Sequence, residues 1–483
     1  MTGSRLESIF TPKWFEKRYR VVLCGLVVLA AVTRAALVVG SPRPFGYVWD
    51  LYHESVVWTF VHGRLPLPND CGECYHPPFF LACGVPLYAL GAFASDGGAV
   101  TGLRLLSLFS MACAGIVVYY CHRTLGLLRP SRGTLLLGTA LALVFPCLFI
   151  ASYCVENDVL LAALMSAFFY QLCRAHLHPA RSGLRGPFLM GLLAGLSALT
   201  KYSGFLTLLA AGVALSPRVL FGRRRLRTAR DLAIVALVAA SVCGWHYVRN
   251  IRLLGKPFLG PPWAPGVFDV GAVKVALNRP RYDFHSFKIK AVVDLYRPGK
   301  DGPLNDFPVY DSVFTTLHAL AWTDMSFFSV PSRHGWTLPA GYAEGGANMP
   351  MVVDTPASAP RVPIYPAKRV RLWLVDLVLR LGVVPTLLAL LGFGAVLRRR
   401  AMQPFIVFSV ISLAVYGWWF LAQPAWALKT KYILFLLPAY IAYTILGLNS
   451  IYRMDRRLGH AAAACLIASL IASEAYLWMF ALG

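Results

Sequence analysis

The residues best suited to chemistry lie in two short stretches of the amino-terminal quarter. In YVWDLYHESVVWTFVHG, residues 47–63, Asp50 and Glu54 stand four apart with His53 beside Glu54. Apolar and aromatic residues at Val48, Tyr52, Val56, Val57 and Phe60 recur at helical spacing, and on a helix positions i and i+4 share a face. Two carboxylates beside an imidazole, held where membrane meets water, are what a general base for activating a hydroxyl requires. An N-cap by Asp50 and a solvated polar face would use the same residues. In the second stretch, CGECYHPPF at 71–79, a C-x-x-C precedes His76 and two prolines. A zinc site would need further ligands, for which only His53 and His62 are near; a Cys71–Cys74 disulfide and a pair of free thiols are the other readings. The prolines give a rigid entry to the next helix and fix His76 at its edge.

Four more polar groups sit at the ends of apolar segments. They are Glu156, Asn157 and Asp158; Thr200, Lys201 and Tyr202; Trp245, His246, Arg249 and Asn250; and Lys429, Lys431 and Tyr432. Cations at a bilayer surface are where a lipid-linked phosphate would be held. Snorkelling from helix ends explains any one of them equally well; as a set with the acidic first loop they read as a site.

These residues need a scaffold, and the composition says which kind. The 483 residues are 57% hydrophobic and only 14% charged, with mean hydropathy +0.59, too apolar for a soluble fold of this size. Segments such as 21–41, 231–249, 403–421 and 459–481 each reach the roughly 20 apolar residues needed to cross about 30 Å of hydrocarbon. Helices are then required, because lipid offers the backbone no hydrogen-bond partner. The first span follows a polar, basic stretch with no small-residue cleavage site and reads as a retained signal-anchor.

A net charge of +24 would suggest nucleic acid in a soluble protein, but here the arginines fall in short loops between apolar segments. Examples are Arg123, Arg129 and Arg132; Arg174, Arg181 and Arg185; Arg223 to Arg225; Arg398 to Arg400; and Arg453, Arg456 and Arg457. This is the positive-inside pattern, and no nucleic-acid partner is expected. Placing every basic loop in the cytoplasm gives eleven spans, at 21–41, 103–122, 133–151, 158–173, 186–200, 203–219, 231–249, 372–396, 403–421, 432–449 and 459–481. The amino terminus is then cytoplasmic, the carboxyl terminus external, and the apolar stretch 77–95 a juxtamembrane or re-entrant helix.

The expected organisation is a tail, 1–20; a seven-span catalytic module, 21–249, including a first external loop, 42–102; a large external loop, 250–371; and a four-span module, 372–483. The first loop carries Asp50, Glu54, Asp70, Glu73 and Asp96 against Arg43 and Arg64. In the second, 311–328 reads as an aromatic interfacial helix that could cover the site and gate the acceptor. Arg34 and Glu474 lie inside spans, each about 10 Å below the outer surface at 1.5 Å per residue, and are expected to pair.

The order of motifs resembles the GT-C superfamily of membrane glycosyltransferases, especially the bacterial relatives of protein O-mannosyltransferases and lipid A aminoarabinose transferases. The resemblance rests on Asp50 with His53 and Glu54, YHPPFF at 75–80, YCVENDVLLAALMSAFF at 153–169, GLLAGLSALTKYSG at 191–204, WHYVRNIRLLGKPFLG at 245–260 and KTKYILFLLPAY at 429–440. It implies an all-α polytopic fold and transfer of a hexosyl or pentosyl group from a polyprenyl- or dolichyl-phosphate donor to an acceptor hydroxyl, inverting, on the external face. By that resemblance Asp50 is the first choice for the catalytic carboxylate and Glu54 the second. His53, His76, Glu156, Asp158, Lys201, Tyr202, Arg249, Asn250, Lys429 and Lys431 would bind the donor phosphate or substrate.

The adjacent Asp-Glu pair usual in the family is replaced here by Asp50 and Glu54 four apart. A divalent cation, Mg or Mn on these two carboxylates, therefore stays open beside a mechanism with no cofactor. The plasma membrane is favoured over the endoplasmic reticulum. Two other functions use the same features: a flippase or transporter of lipid-linked saccharides, which predicts inverted repeats and midplane ionisable residues, and a non-catalytic scaffold subunit. The topology is testable: a reporter fused near Asp96 is expected to signal from the non-cytoplasmic side, and a cytoplasmic signal would overturn the span assignment.

Overall fold

The computed structural model describes residues 13–40, 51–71, 74–94, 98–178, 183–222, 225–259, 286–295, 312–323, 372–421 and 430–482. Among them the chain is helical throughout, with no β-strand. In chain order the helices are α1 (Lys13–Gly40), α2 (Leu51–His62), α3 (Phe79–Ala94), α4 (Gly98–Leu127), α5 (Arg132–Leu143), α6 (Pro146–Tyr153), α7 (Asn157–Leu177) and α8 (Arg185–Thr200). They continue with α9 (Leu206–Phe221), α10 (Arg225–Leu254), α11 (Ile289–Leu295), α12 (Val313–Trp322), α13 (Leu372–Val396), α14 (Gln403–Leu421), α15 (Leu437–Met454) and α16 (Arg456–Leu482). Short 3₁₀ turns, Tyr202–Phe205 and Thr430–Leu436, precede α9 and α15.

Nine helices among the described residues are long and apolar enough to cross a membrane, ten if the bent pair α5 and α6 is one span. The protein is thus an all-α polytopic membrane protein. Each of the eleven expected segments is helical, and 372–396 and 403–421 coincide with α13 and α14. Two fall short of a regular span: α8 has 16 residues, and 133–151 is broken. The stretch 77–95 yields the 16-residue helix α3, and α1 begins at Lys13, inside the expected tail.

Helix α7 is buried on nearly all sides, as is the segment ending in α15. Phe168, Phe169, Met165 and Leu161 of α7 are fully buried, with Phe169 stacked on Phe408 at 4.8 Å and edge-on to Phe405 at 5.0 Å. Helix α1, by contrast, leans on α5 and α4 and exposes Val27, Val28, Leu29 and Val32, as a lipid-facing helix must. The most extensive pairing joins α13 to α15. A Cβ on Gly392 would lie 1.8 Å from the Tyr443 carbonyl oxygen, and one on Gly447 would lie 1.9 Å from that of Leu388. Small residues let the two backbones approach where lipid supplies no hydrophobic drive.

The break between α5 and α6 bends the chain by 45°. Pro146 opens α6, lacks an N–H and disfavours helix in the residue before it. Arg34 meets the break: its guanidinium donates to the Leu143 carbonyl and to the Ala30 carbonyl at 3.0 Å and lies 4.7 Å from the centre of the Phe149 ring. The expected pairing is revised accordingly. Among the described residues no ion pair joins Arg34 to Glu474; a carbonyl left open by the broken helix takes the guanidinium.

The described part of segment 311–328, α12, packs on α13, α6 and the Thr430–Leu436 turn, with Trp322 fully buried and edge-on to Phe145 at 5.5 Å.

Replacing Gly392 by Leu is expected to lower the thermal midpoint in detergent, by the overpacking cost of about 1–3 kcal/mol or more. Gly394→Ala, at a position with nothing within 4 Å, is expected to leave it unchanged.

Candidate functional site

Of the polar residues singled out from sequence, Asp158, Lys201, Tyr202, Asn250 and the turn that carries His76 converge at one end of the bundle, where the turns that carry them meet. Between α6 and α7 the chain runs extended through Glu156 (φ −136°, ψ 140°). Glu156, Asn157 and Asp158 are each no more than 2% exposed. Asp158 lies in the first turn of α7, where the helix dipole favours an anion.

Its counter-charge comes from the end of α8. Lys201 is extended (φ −158°, ψ 149°), and the chain then folds back as the 3₁₀ turn, closed by Gly204 N–H donating to the Lys201 carbonyl at 2.8 Å. The turn lies so close to α8 that a Cβ on Gly204 would fall 2.2 Å from the Ser197 carbonyl carbon, so the KYSG motif requires its glycine. In this pose Lys201 Nζ is 2.7 Å from Asp158 Oδ1 and 4.3 Å from the centre of the Tyr432 ring. The Tyr432 turn is held in place by the Thr430 hydroxyl, which donates to the Leu317 carbonyl of α12 at 2.8 Å.

Tyr202 ties in two more segments. Its hydroxyl donates to the Tyr75 carbonyl at 2.9 Å and accepts the Leu259 N–H at 3.1 Å. His76 follows Tyr75, their rings 4.1 Å apart. At the end of α10, Asn250 is fully buried; its Nδ2 donates to the Pro257 carbonyl at 3.2 Å and lies 3.1 Å from His246 Nε2. Arg249 donates to the Asn250 Oδ1 at 3.5 Å. Helix α10 is fixed to α8 by the Tyr247 hydroxyl, which donates to the Ala198 carbonyl at 2.7 Å.

Of the residues proposed from sequence, the structure joins Asp158 to Lys201 directly. It links Tyr202 to the turn that carries His76 and, through residues 257–259, to Asn250. Glu156 lies buried two residues before Asp158, at the cap position of α7. Lys201, expected as a cation for phosphate, is paired with the Asp158 carboxylate, whose side chain is 1% exposed. Asp50 and Lys429 lie outside the described residues. His53 and Glu54 lie on α2, and Lys431 in the Thr430–Leu436 turn, but their side chains are not described.

Among the described residues no three His, Cys, Asp or Glu side chains are placed to hold a metal ion. The C-x-x-C resolves to a disulfide, Cys71–Cys74. Tyr432, grouped with Lys429 and Lys431 in the sequence, had no signal there for its place over Lys201, and the Leu259 backbone N–H left none in residue type.

No protein-family model and no curated protein matches the chain in sequence. In structure it resembles the archaeal oligosaccharyltransferase AglB from Archaeoglobus fulgidus, in complex with an inhibitory peptide and a dolichol-phosphate. The TM-score is 0.51 at 15% identity, over 97% of this chain and 56% of that one. The apo form of the Archaeoglobus fulgidus oligosaccharyltransferase gives 0.50 at 14% identity, over 96% and 56%. ArnT from Cupriavidus metallidurans bound to undecaprenyl phosphate overlays at only 0.38, with 17% identity over 90% of this chain and 78% of that one, too loosely to add weight. The chain spans little more than half the length of the oligosaccharyltransferase it matches, and what the two share is the fold, an all-α polytopic membrane bundle.

Lys201→Met would strand the buried Asp158 carboxylate. Breaking such a pair costs on the order of 3–5 kcal/mol, so the thermal midpoint is expected to fall, and Lys201→Met with Asp158→Asn is expected to recover part of the loss. A single variant as stable as wild type would show that the pair does not hold α7 to α8.

Proposed function

We propose that this protein is an integral membrane glycosyltransferase, moving a sugar from a polyprenyl-phosphate donor to an acceptor hydroxyl at the polar end of the bundle, with inversion. The observation that carries this reading is the convergence of the Asp158–Lys201 pair, Tyr202, Asn250 and the His76 turn at one end of a bundle with the GT-C fold. The oligosaccharyltransferase of similar fold was captured with a dolichol-phosphate and a peptide, which supports a lipid phosphate on one side of the reaction and a hydroxyl or amide acceptor on the other. A disulfide in the first loop supports an oxidising, non-cytoplasmic compartment for this end, with the amino terminus cytoplasmic and the plasma membrane the favoured location.

In the reaction, Asp50, or Glu54 one turn on, takes the proton of the acceptor hydroxyl. The oxygen attacks the anomeric carbon opposite the lipid phosphate, and the sugar–phosphate bond breaks with its electrons on the phosphate. Arg249, Lys429 and Lys431, with His76, offset the charge that develops on the leaving group. Lys201 is neutralised by Asp158, so its role is to fix the floor of the site and offer a remaining N–H to the phosphate. If the enzyme takes a divalent ion, Asp50 and Glu54 are its ligands, and the ion would serve to polarise the phosphate.

Asp50→Asn is the direct test, measured as sugar transfer from a polyprenyl-phosphate donor. Loss of a general base is expected to lower turnover by about 10²–10⁴-fold without unfolding the protein. Unchanged transfer would remove Asp50 as the base and pass the role to Glu54→Gln for the same measurement. No transfer by wild type from any such donor would refute the reading.

A further inference from the structure

The two cysteines of the first loop have no part in the transfer step, yet the contacts around them lead to the centre of the site. Cys71 and Cys74 are joined with Cα atoms 5.1 Å apart and are buried against Trp58 of α2. The Trp58 indole stacks on His62 at 4.1 Å, and the Arg64 guanidinium lies 4.6 Å from its ring centre. Arg64 in turn pairs with Asp70 at 3.1 Å, and the same carboxylate oxygen accepts the Leu67 N–H at 2.7 Å. The residue after Cys74 is Tyr75, whose carbonyl accepts the Tyr202 hydroxyl, while the Tyr202 oxygen accepts Leu259 N–H. One phenol thus joins the first loop, the turn that begins at Lys201 and the segment whose Pro257 carbonyl holds Asn250.

We propose that the Cys71–Cys74 disulfide and Tyr202 form a positioning pair. The closed ring keeps the Tyr75 carbonyl on the Tyr202 hydroxyl, and its reduction releases the first loop from the site. His76 sits between that ring and the two prolines, so a displacement of Tyr75 is passed to it rather than absorbed by a flexible link. The redox step is a thiol–disulfide exchange with a dithiol. The reductant supplies two electrons and two protons, the Sγ–Sγ bond breaks to two thiols, and the reductant leaves as its own disulfide. A disulfide between cysteines in a C-x-x-C is the arrangement that redox-active proteins use. The catalytic consequence rests on the transferase reading above; the coupling between loop and turn does not.

The test is hydrogen–deuterium exchange on the full-length protein in lipid nanodiscs, oxidised and then treated with dithiothreitol. Reduction is expected to raise exchange at residues 71–78, at 200–206 and at 255–259 while leaving α13 and α15 unchanged. Tyr202→Phe is expected to raise exchange in the same three segments of the oxidised protein and to add nothing after reduction, as coupled positions do. Exchange that rises only at 71–75, or effects of reduction and Tyr202→Phe that simply add, would overturn the proposal. Should Cys71→Ser/Cys74→Ser fail to fold, the wild-type reduction arm still decides.

In a transfer assay, reduction is expected to raise KM on the order of tenfold, the range of one or two hydrogen bonds, with a smaller change in kcat. Coupled exchange together with no transfer from any polyprenyl-phosphate donor would support the pair and refute the transferase reading.

Discussion

Lipid gives the backbone nothing to bond with, so every place where a helix of this bundle stops or bends must find its partners within the protein. The architecture is organised by that constraint. Where α5 breaks from α6, Arg34 of a neighbouring helix closes on the Leu143 and Ala30 carbonyls. Where α10 ends, Asn250 takes the Pro257 carbonyl of the returning chain. Where α8 ends, the 3₁₀ turn returns on the Ser197 backbone and leaves Lys201 pointing at Asp158. Each repair uses a polar side chain, and two of them, Arg34 on Leu143 and Lys201 on Asp158, tie one helix to another.

The same requirement explains why stability and chemistry share residues at one end. Asp158 is buried, and an ionised carboxylate there is tolerable only with Lys201 against it. Tyr432 completes the surroundings of the lysine, held by a helix from the large loop through Thr430 and Leu317. The turns that meet there adjoin α7 and the segment ending in α15, the two most enclosed spans among the described residues. The fold shared with the archaeal oligosaccharyltransferase persists at only 15% sequence identity.

Much of the scaffold was legible in the sequence. Apolar runs gave α13 and α14 to the residue, and the turn residues of YHPPFF, ENDV and KYSG marked where helices begin and end. The break at Pro146 was less so, since FPCLFIASY is as apolar as its surroundings and hydropathy does not register a 45° bend. Arg34 could be read as a charge in need of a partner, but a carbonyl released by a broken helix leaves no trace in residue type, and Glu474 was the only partner a sequence could suggest. The segment around Trp322 had the aromatic pattern of an interfacial helix, but its packing on α13 and Phe145 was not legible in the sequence.

By itself, the sequence determined the solvent, the helical class, the main crossings and the kinds of residue gathered at the connecting turns, because hydrophobic run length and charge are local properties that lipid reads directly. What only the tertiary structure decided is which of those residues meet. Lys201 and Asp158 are 43 residues apart, and Tyr202 is 127 from the carbonyl it holds. A lysine placed for a phosphate and a lysine committed to a buried carboxylate have the same letter and the same neighbours in the chain. They differ only in what the fold brings within hydrogen-bonding distance.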